Sequence, residues 1–213
     1  MPKKGILRFS AKELQDILIG ATLVLAVGIS FAFFEIPGYL AKKGFTIQLA
    51  IALSLAAFFT ASFLLHEFAH KAIAQRYGLW AEFRLTLWGA LITLISILSP
   101  IKLISPGAVM ISGNFVDRKT IGRTAIAGPT TNIILATIFA AIFGAATFLA
   151  PNTAITFIAG WVAYINAFLA LFNLIPFSII DGHKIFSWNK LVWALAFTAA
   201  LTLTILAFVF FLS

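Results

Sequence analysis

Residues 61–78 read ASFLLHEFAHKAIAQRYG. On a helix, residues four apart share a face, so the imidazoles of His66 and His70 can point at one ion. Glu67 stands about 100° round from His66 and can reach a water held by that ion. The run is apolar back to Phe45 and meets Lys71, Arg76 and then Gly78, a residue suited to stop a helix. A helix from Phe45 to Tyr77 is roughly 48 Å long, more than a ~30 Å hydrocarbon core, so its basic end must emerge.

Working outward, the rest of the chain fits a bilayer. Of 213 residues, 62% are hydrophobic and 10% charged, too few charges to coat a soluble surface of this size. Cysteine is absent, which excludes disulfides and thiolate metal sites. The net charge of +8 comes from Lys and Arg flanking apolar runs, the pattern of the positive-inside rule and not of nucleic-acid binding. The first apolar run has no small-residue cleavage site after it and reads as a retained span.

Spans are expected near 17–36, 45–76, 125–150, 154–175 and 191–212. Lys3, Lys4, Arg8 and Lys12 set the N-terminus in the cytoplasm. Pro37-Gly38 with Lys42-Lys43-Gly44, and Pro151-Asn152, make outer turns. Residues 79–123 begin and end with basic residues, so they cross twice or not at all. Each half, broken by Pro100, Lys102 and Pro106-Gly107, is short for a span. A re-entrant or short β segment at membrane depth is expected, tolerated only where protein or a water-filled cavity surrounds it. The fold class is therefore an all-α polytopic membrane protein with five to six transmembrane helices. It forms a single transmembrane domain over 1–213, with its core at 45–184.

The chemistry needs two neutral imidazoles, an open coordination position and a carboxylate that takes a proton from water. A third ligand is also needed. Glu13 and Asp16 sit at the cytoplasmic start of the first span and Glu35 near its outer end, Glu82 lies beyond the Gly78 turn, and Asp117 sits in a charged cluster. Asp181 follows the fourth span at the end where the His66 helix emerges. His183 is a rival two residues on, and Asp181-Gly182 alone would read as a turn.

Three motifs in order resemble the site-2 protease family of intramembrane zinc metalloproteases. They are His66-Glu67-Phe68-Ala69-His70, Gly128-Pro129-Thr130-Thr131-Asn132, and Asn173-Leu174-Ile175-Pro176 followed by Asp181-Gly182. The resemblance implies one zinc ion held by His66, His70 and Asp181, with Glu67 as general base. It implies that Asn173 steadies the oxyanion, while Asn132 and Pro129 line the site or hold substrate. It further implies hydrolysis in or beside a transmembrane segment by a Glu-activated, zinc-bound water. The implied substrate is a membrane-anchored regulatory protein, such as an anti-sigma factor or a tethered transcription factor. Nucleic acid is not an expected partner. The expected location is the cell membrane, multi-pass, with the site opening to the cytoplasm.

The chain departs from the family in two places. Leu85 to Ser99 is bulky where relatives are glycine-rich, and Phe177-Ser178-Ile179-Ile180 replaces a proline-rich approach to Asp181. PDZ and CBS domains are missing. The segment from Leu85 to Ser112 is expected to offer a strand edge that holds unwound substrate by β-addition. A prenyl-protein-protease-like zincin would need a later glutamate, and Glu82 lies too near the motif. The remaining alternative is a non-proteolytic membrane metal-binding protein or carrier, which would carry more intramembrane ligands along a path.

Overall fold

A computed structural model describes residues 7–35, 44–99, 102, 104–113, 116–177 and 180–211. In chain order the elements are α1 (Ala11–Glu35), α2 (Phe45–Arg76), β1 (Trp80–Leu85), α3 (Leu87–Leu98), β2 (Gly107–Ser112), α4 (Arg118–Ala125), α5 (Ala127–Leu149), α6 (Ala154–Asn173), α7 (Asp181–Trp188) and α8 (Lys190–Phe211). Five helical stretches are long and apolar enough to cross a bilayer: Ala11–Phe34, Phe45–Arg76, Arg118–Leu149, Ala154–Asn173 and Lys190–Phe210. The chain is an all-α polytopic membrane protein. The first span starts six residues before the expected Ile17, because Ser10 accepts the Glu13 N–H at 3.1 Å and so begins the helix there. The turn expected at Pro37-Gly38 and Lys42-Lys43 lies outside the described residues, as do Lys3, Lys4, Pro100, Ser178 and Ile179.

The chain divides into two compact units: Met1–Leu7, Leu65–Ala81 and Ile111–Ser213 in one, Arg8–Leu64 and Glu82–Met110 in the other. In the first unit α2 ends at a full C-cap. Gly78 adopts φ 75°, the Leu79 N–H reaches the Ala74 carbonyl at 3.1 Å, and the Gly78 N–H reaches that of Gln75 at 3.0 Å. Between α4 and α5 the helix breaks at Ile126. Pro129 has no N–H to give the carbonyl four residues back, so one rung of the helix is missing. α5 and α6 are joined through Asn152, at φ 59°, and Thr153, which caps α6. α6, α7 and α8 then close around Ala125, Ala170, Leu174, Ile185 and Ala200. Ala125, Ala170 and Ala200 let the helices approach closely here, as suits helices that associate in lipid by packing.

The second unit holds α1, the first part of α2, and the excursion β1–α3–β2. Gly28 lets α1 approach α2 closely: a Cβ there would lie 2.7 Å from the Ala56 Cα. Val24, Phe63 and Phe83 form the core. β1 and β2 pair as a two-stranded sheet. Its ends match Arg84 with Gly107 and Leu79 with Gly113, an antiparallel arrangement. α3 has 12 residues, about 18 Å, and cannot cross a bilayer. Residues 79–123, expected to form a re-entrant or short β segment, hold a strand, a short helix, a returning strand and the start of α4 among the described residues.

The excursion is held to α1 at two levels. The buried Glu13 carboxylate accepts the Phe83 N–H at 2.9 Å, and Asp16 faces Arg84 at 3.5 Å. Further along, Lys102 donates to Ser30 Oγ at 2.8 Å and to the carbonyls of Ser96 and Ser99 at 3.2 and 2.7 Å.

Candidate metal centre

The site lies within the first unit. His66, Glu67 and His70 are all buried on α2. His66 and His70 sit one turn apart with their Nε2 atoms 3.1 Å from each other. Asp181, the first residue of α7, brings Oδ2 to 2.9 Å from His70 Nε2 and 3.6 Å from His66 Nε2. These three side chains form a group able to hold a metal ion.

The proton positions follow from the partners. The Val162 carbonyl can only accept, so Asn166 donates its amide N–H there at 2.9 Å. Asn166 Oδ1 then accepts from Asn132 Nδ2 at 3.0 Å, which turns Asn132 Oδ1 toward His66 Nδ1 at 2.5 Å. His66 therefore carries its hydrogen on Nδ1. His70 does the same, because its Nδ1 faces the Thr124 carbonyl at 2.8 Å. In the neutral rings both Nε2 atoms are bare lone pairs, and Asp181 Oδ2 is a third acceptor. Three acceptors this close repel one another unless a cation lies among them. Ligands ~2.0–2.1 Å from a tetrahedral zinc stand about 3.3 Å apart, close to the distances found.

Two glycines make room. A Cβ on Gly128 would fall 2.4 Å from His70 Nε2 and 2.5 Å from His66 Nε2, in the space an ion would share. A Cβ on Gly182 would strike the carbonyls of Leu174 and Ile175 at 2.3 and 2.4 Å. Gly182 therefore lets the start of α7 press on the end of α6, and this contact delivers Asp181. Lys184 Nζ lies 3.0 Å from Asp181 Oδ1. Two neutral imidazoles, one carboxylate and no thiolate suit zinc.

The other residues singled out in the sequence are placed as follows. Asn132 is fully buried and bonds His66. Pro129 is buried in the first turn of α5, where it makes the break. Asn173, half-buried at the end of α6, donates to its own helix at Leu169 O, 2.9 Å away. His183 is exposed and outside the cluster, and Glu82 pairs with Ser10 and Arg84. Sequence reasoning missed Asn166, an amide inside an apolar span whose burial is costly unless bonded. It also missed Thr124, which gives His70 its carbonyl and buries a hydroxyl that has no partner among the described residues.

Fold and site define a class: polytopic membrane proteins with a His-His-Asp group able to hold a metal, built around a transmembrane HExxH helix. Comparison with known proteins gives the family. The chain is 34% identical over 192 residues to a Methanocaldococcus jannaschii protein, MJ0611, named by inference a zinc metalloprotease; the match covers 90% of this chain and 92% of that one. It is 29% identical over 133 residues to Rip3 of Mycobacterium tuberculosis, also named by inference a zinc metalloprotease, covering 61% of this chain and 30% of Rip3. No family profile and no solved structure matches. The chain belongs to the site-2-protease-like family of zinc metalloproteases.

Proposed function

We propose that the whole chain acts as one intramembrane protease domain. It hydrolyses peptide bonds in or next to transmembrane segments of membrane-anchored regulatory proteins. The observation that carries this reading is the convergence of two bare imidazole nitrogens and the Asp181 carboxylate beside Glu67, on a helix long enough to span a bilayer. Zinc at that point would supply a Lewis acid and a water acidified toward pKa ~7.

The chain's own residues do the rest. His66, His70 and Asp181 hold the ion, and Asn132, Asn166 and the Thr124 carbonyl hold the two rings in the tautomer that keeps Nε2 free. Glu67 takes the proton from the attacking water and returns it to the leaving amine. Asn173 has a second amide hydrogen beyond the one given to Leu169, and we assign it to the developing oxyanion. Pro129, buried in the first turn of α5, sets the bend there, and the fully buried Asn132 acts through His66. The exposed Met110 and Ile111 make β2 an apolar edge, suited to pair with an unwound substrate segment. The N-terminus and the site opening face the cytoplasm, as the basic residues near the α2 terminus support.

The test is metal analysis together with cleavage of a transmembrane test substrate by the purified chain. Wild type should hold about one zinc and cleave. Asp181→Ala should lose zinc. Full zinc and activity in Asp181→Ala, with loss in His183→Ala, would overturn the ligand set. Zinc binding with no cleavage of any membrane substrate would favour a metal carrier. Unchanged cleavage in Val109→Pro would remove the strand-pairing step.

A further inference from the structure

A cavity of about 320 Å³ lies between α4 and α7, lined by Arg118, Ile121, His183, Lys184, Ser187 and Trp188. Its lining includes two cationic side chains, an imidazole and a hydroxyl, and no carboxylate. The nearest acids are turned elsewhere: Asp117 takes the Thr120 N–H at 2.8 Å, and Asp181 Oδ2 faces the histidine pair. Lys184 is shared with Asp181 Oδ1. Arg118 is exposed and has no ion pair among the described residues. Its guanidinium is therefore available, and its planar fork matches two oxygens of a phosphate.

The position of the cavity narrows the ligand. Arg118 opens the apolar stretch Arg118–Leu149, and Trp188 comes two residues before the stretch Lys190–Phe210. Both helices enter the membrane here, so the cavity lies at the level of lipid headgroups. An indole at that level is an interfacial anchor, and basic pockets between spans take anionic headgroups. Ile121 and Trp188 add an apolar wall on which the glycerol and first methylenes of a lipid can rest.

We propose that this cavity binds the phosphate headgroup of an anionic phospholipid, with Arg118 as its principal contact. The binding stands apart from the protease reading, since it needs neither zinc nor turnover. The test uses the full chain in phosphatidylcholine nanodiscs with rising phosphatidylglycerol, counting retained lipid by native mass spectrometry. Wild type should retain one phosphatidylglycerol in preference to phosphatidylcholine. Arg118→Gln should lower that preference about tenfold or more, the worth of a charge-assisted hydrogen bond to phosphate. Arg118→Lys should recover part of it, and Ser187→Leu, which fills the cavity, should lower it like Arg118→Gln. Lys119→Gln removes the same charge one residue away, outside the lining, and should lower retention by no more than about fivefold, the general effect of one basic group near the surface. Equal losses in Lys119→Gln and Arg118→Gln would overturn the proposal, because general surface charge would then select the lipid. Equal binding of soluble glycerol phosphate would overturn the lipid assignment in favour of a free phosphate ester. An absence of preference in wild type would overturn both.

Discussion

The two units place ionisable groups in apolar surroundings to opposite ends. In the α1 unit the charges close on one another or on the backbone. Glu13 takes a strand N–H, Asp16 and Glu82 meet Arg84, and Lys102 takes a hydroxyl and two carbonyls. In the α2–α7 unit the polar groups form directed chains that end in lone pairs. Val162 and Asn166 orient Asn132, Asn132 orients His66, and Thr124 orients His70. Both units bury a glutamate, Glu13 and Glu67. Burial of charge therefore does not distinguish a site from a brace. The distinction lies in the histidine pair, whose Nε2 atoms face one another and Asp181 Oδ2.

That contrast can be broken by experiment. The largest difference is expected between the two buried glutamates. Glu67→Gln should retain zinc and lose about 10²–10⁴-fold in cleavage rate, the usual worth of a general base. Glu13→Gln keeps an acceptor for the Phe83 N–H and should cost less than about fivefold, or ~1 kcal/mol. Comparable losses in both would erase the distinction between the units.

Two glycines give the next comparison. Gly128→Ala should weaken zinc binding by about 100-fold, the upper end of the range for disturbing the surroundings of metal ligands, because the methyl would share the ion's space. Gly20→Ala meets the Phe83 ring at 3.2 Å and Leu85 Cδ1 at 3.8 Å, and should leave zinc binding unchanged. Equilibrium dialysis of zinc reads both.

A smaller effect is expected at the amide chain. Asn132→Leu should lower zinc affinity about 10- to 100-fold, the range for residues that orient a ligand. Asn166→Leu, one bond further away, should have a weaker effect of the same sign. If Asn166→Leu left zinc affinity untouched while Asn132→Leu reduced it, the directed chain would end at Asn132.

The smallest effect on the site should come from Lys102→Met. It leaves the Ser96 and Ser99 carbonyls short of a donor and should cost about 1–3 kcal/mol of stability, read by thermal unfolding in detergent. Zinc content should not change.

Much of this was legible in the chain because it depends on local spacing. His66 and His70 share a face through helical geometry alone. Asp181 could be placed at the same end of the bundle by counting spans and basic residues, though its choice over His183 rested on resemblance. Gly78 announced the end of α2. Gly128-Pro129 read as a helix start, whereas Pro129 interrupts a nearly continuous helix and Gly128 clears space beside the imidazoles. Neither effect can be read without knowing what lies opposite. The stretch from 79 to 123 stayed open because strand pairing joins residues such as Arg84 and Gly107, whose approach depends on a chain path that propensity does not encode.

By itself the sequence determined the solvent, the spans, the pair of imidazoles and the nearby carboxylate, since composition and a 3.6-residue period decide these without reference to distant residues. Only the tertiary structure decided which acceptors face one another, and hence which nitrogen of each histidine is bare. Asn132, Asn166, Thr124 and Gly182 act across helices. A hydrogen bond or close contact between residues 34 or 66 positions apart is set by how helices pack and not by the identity of either residue.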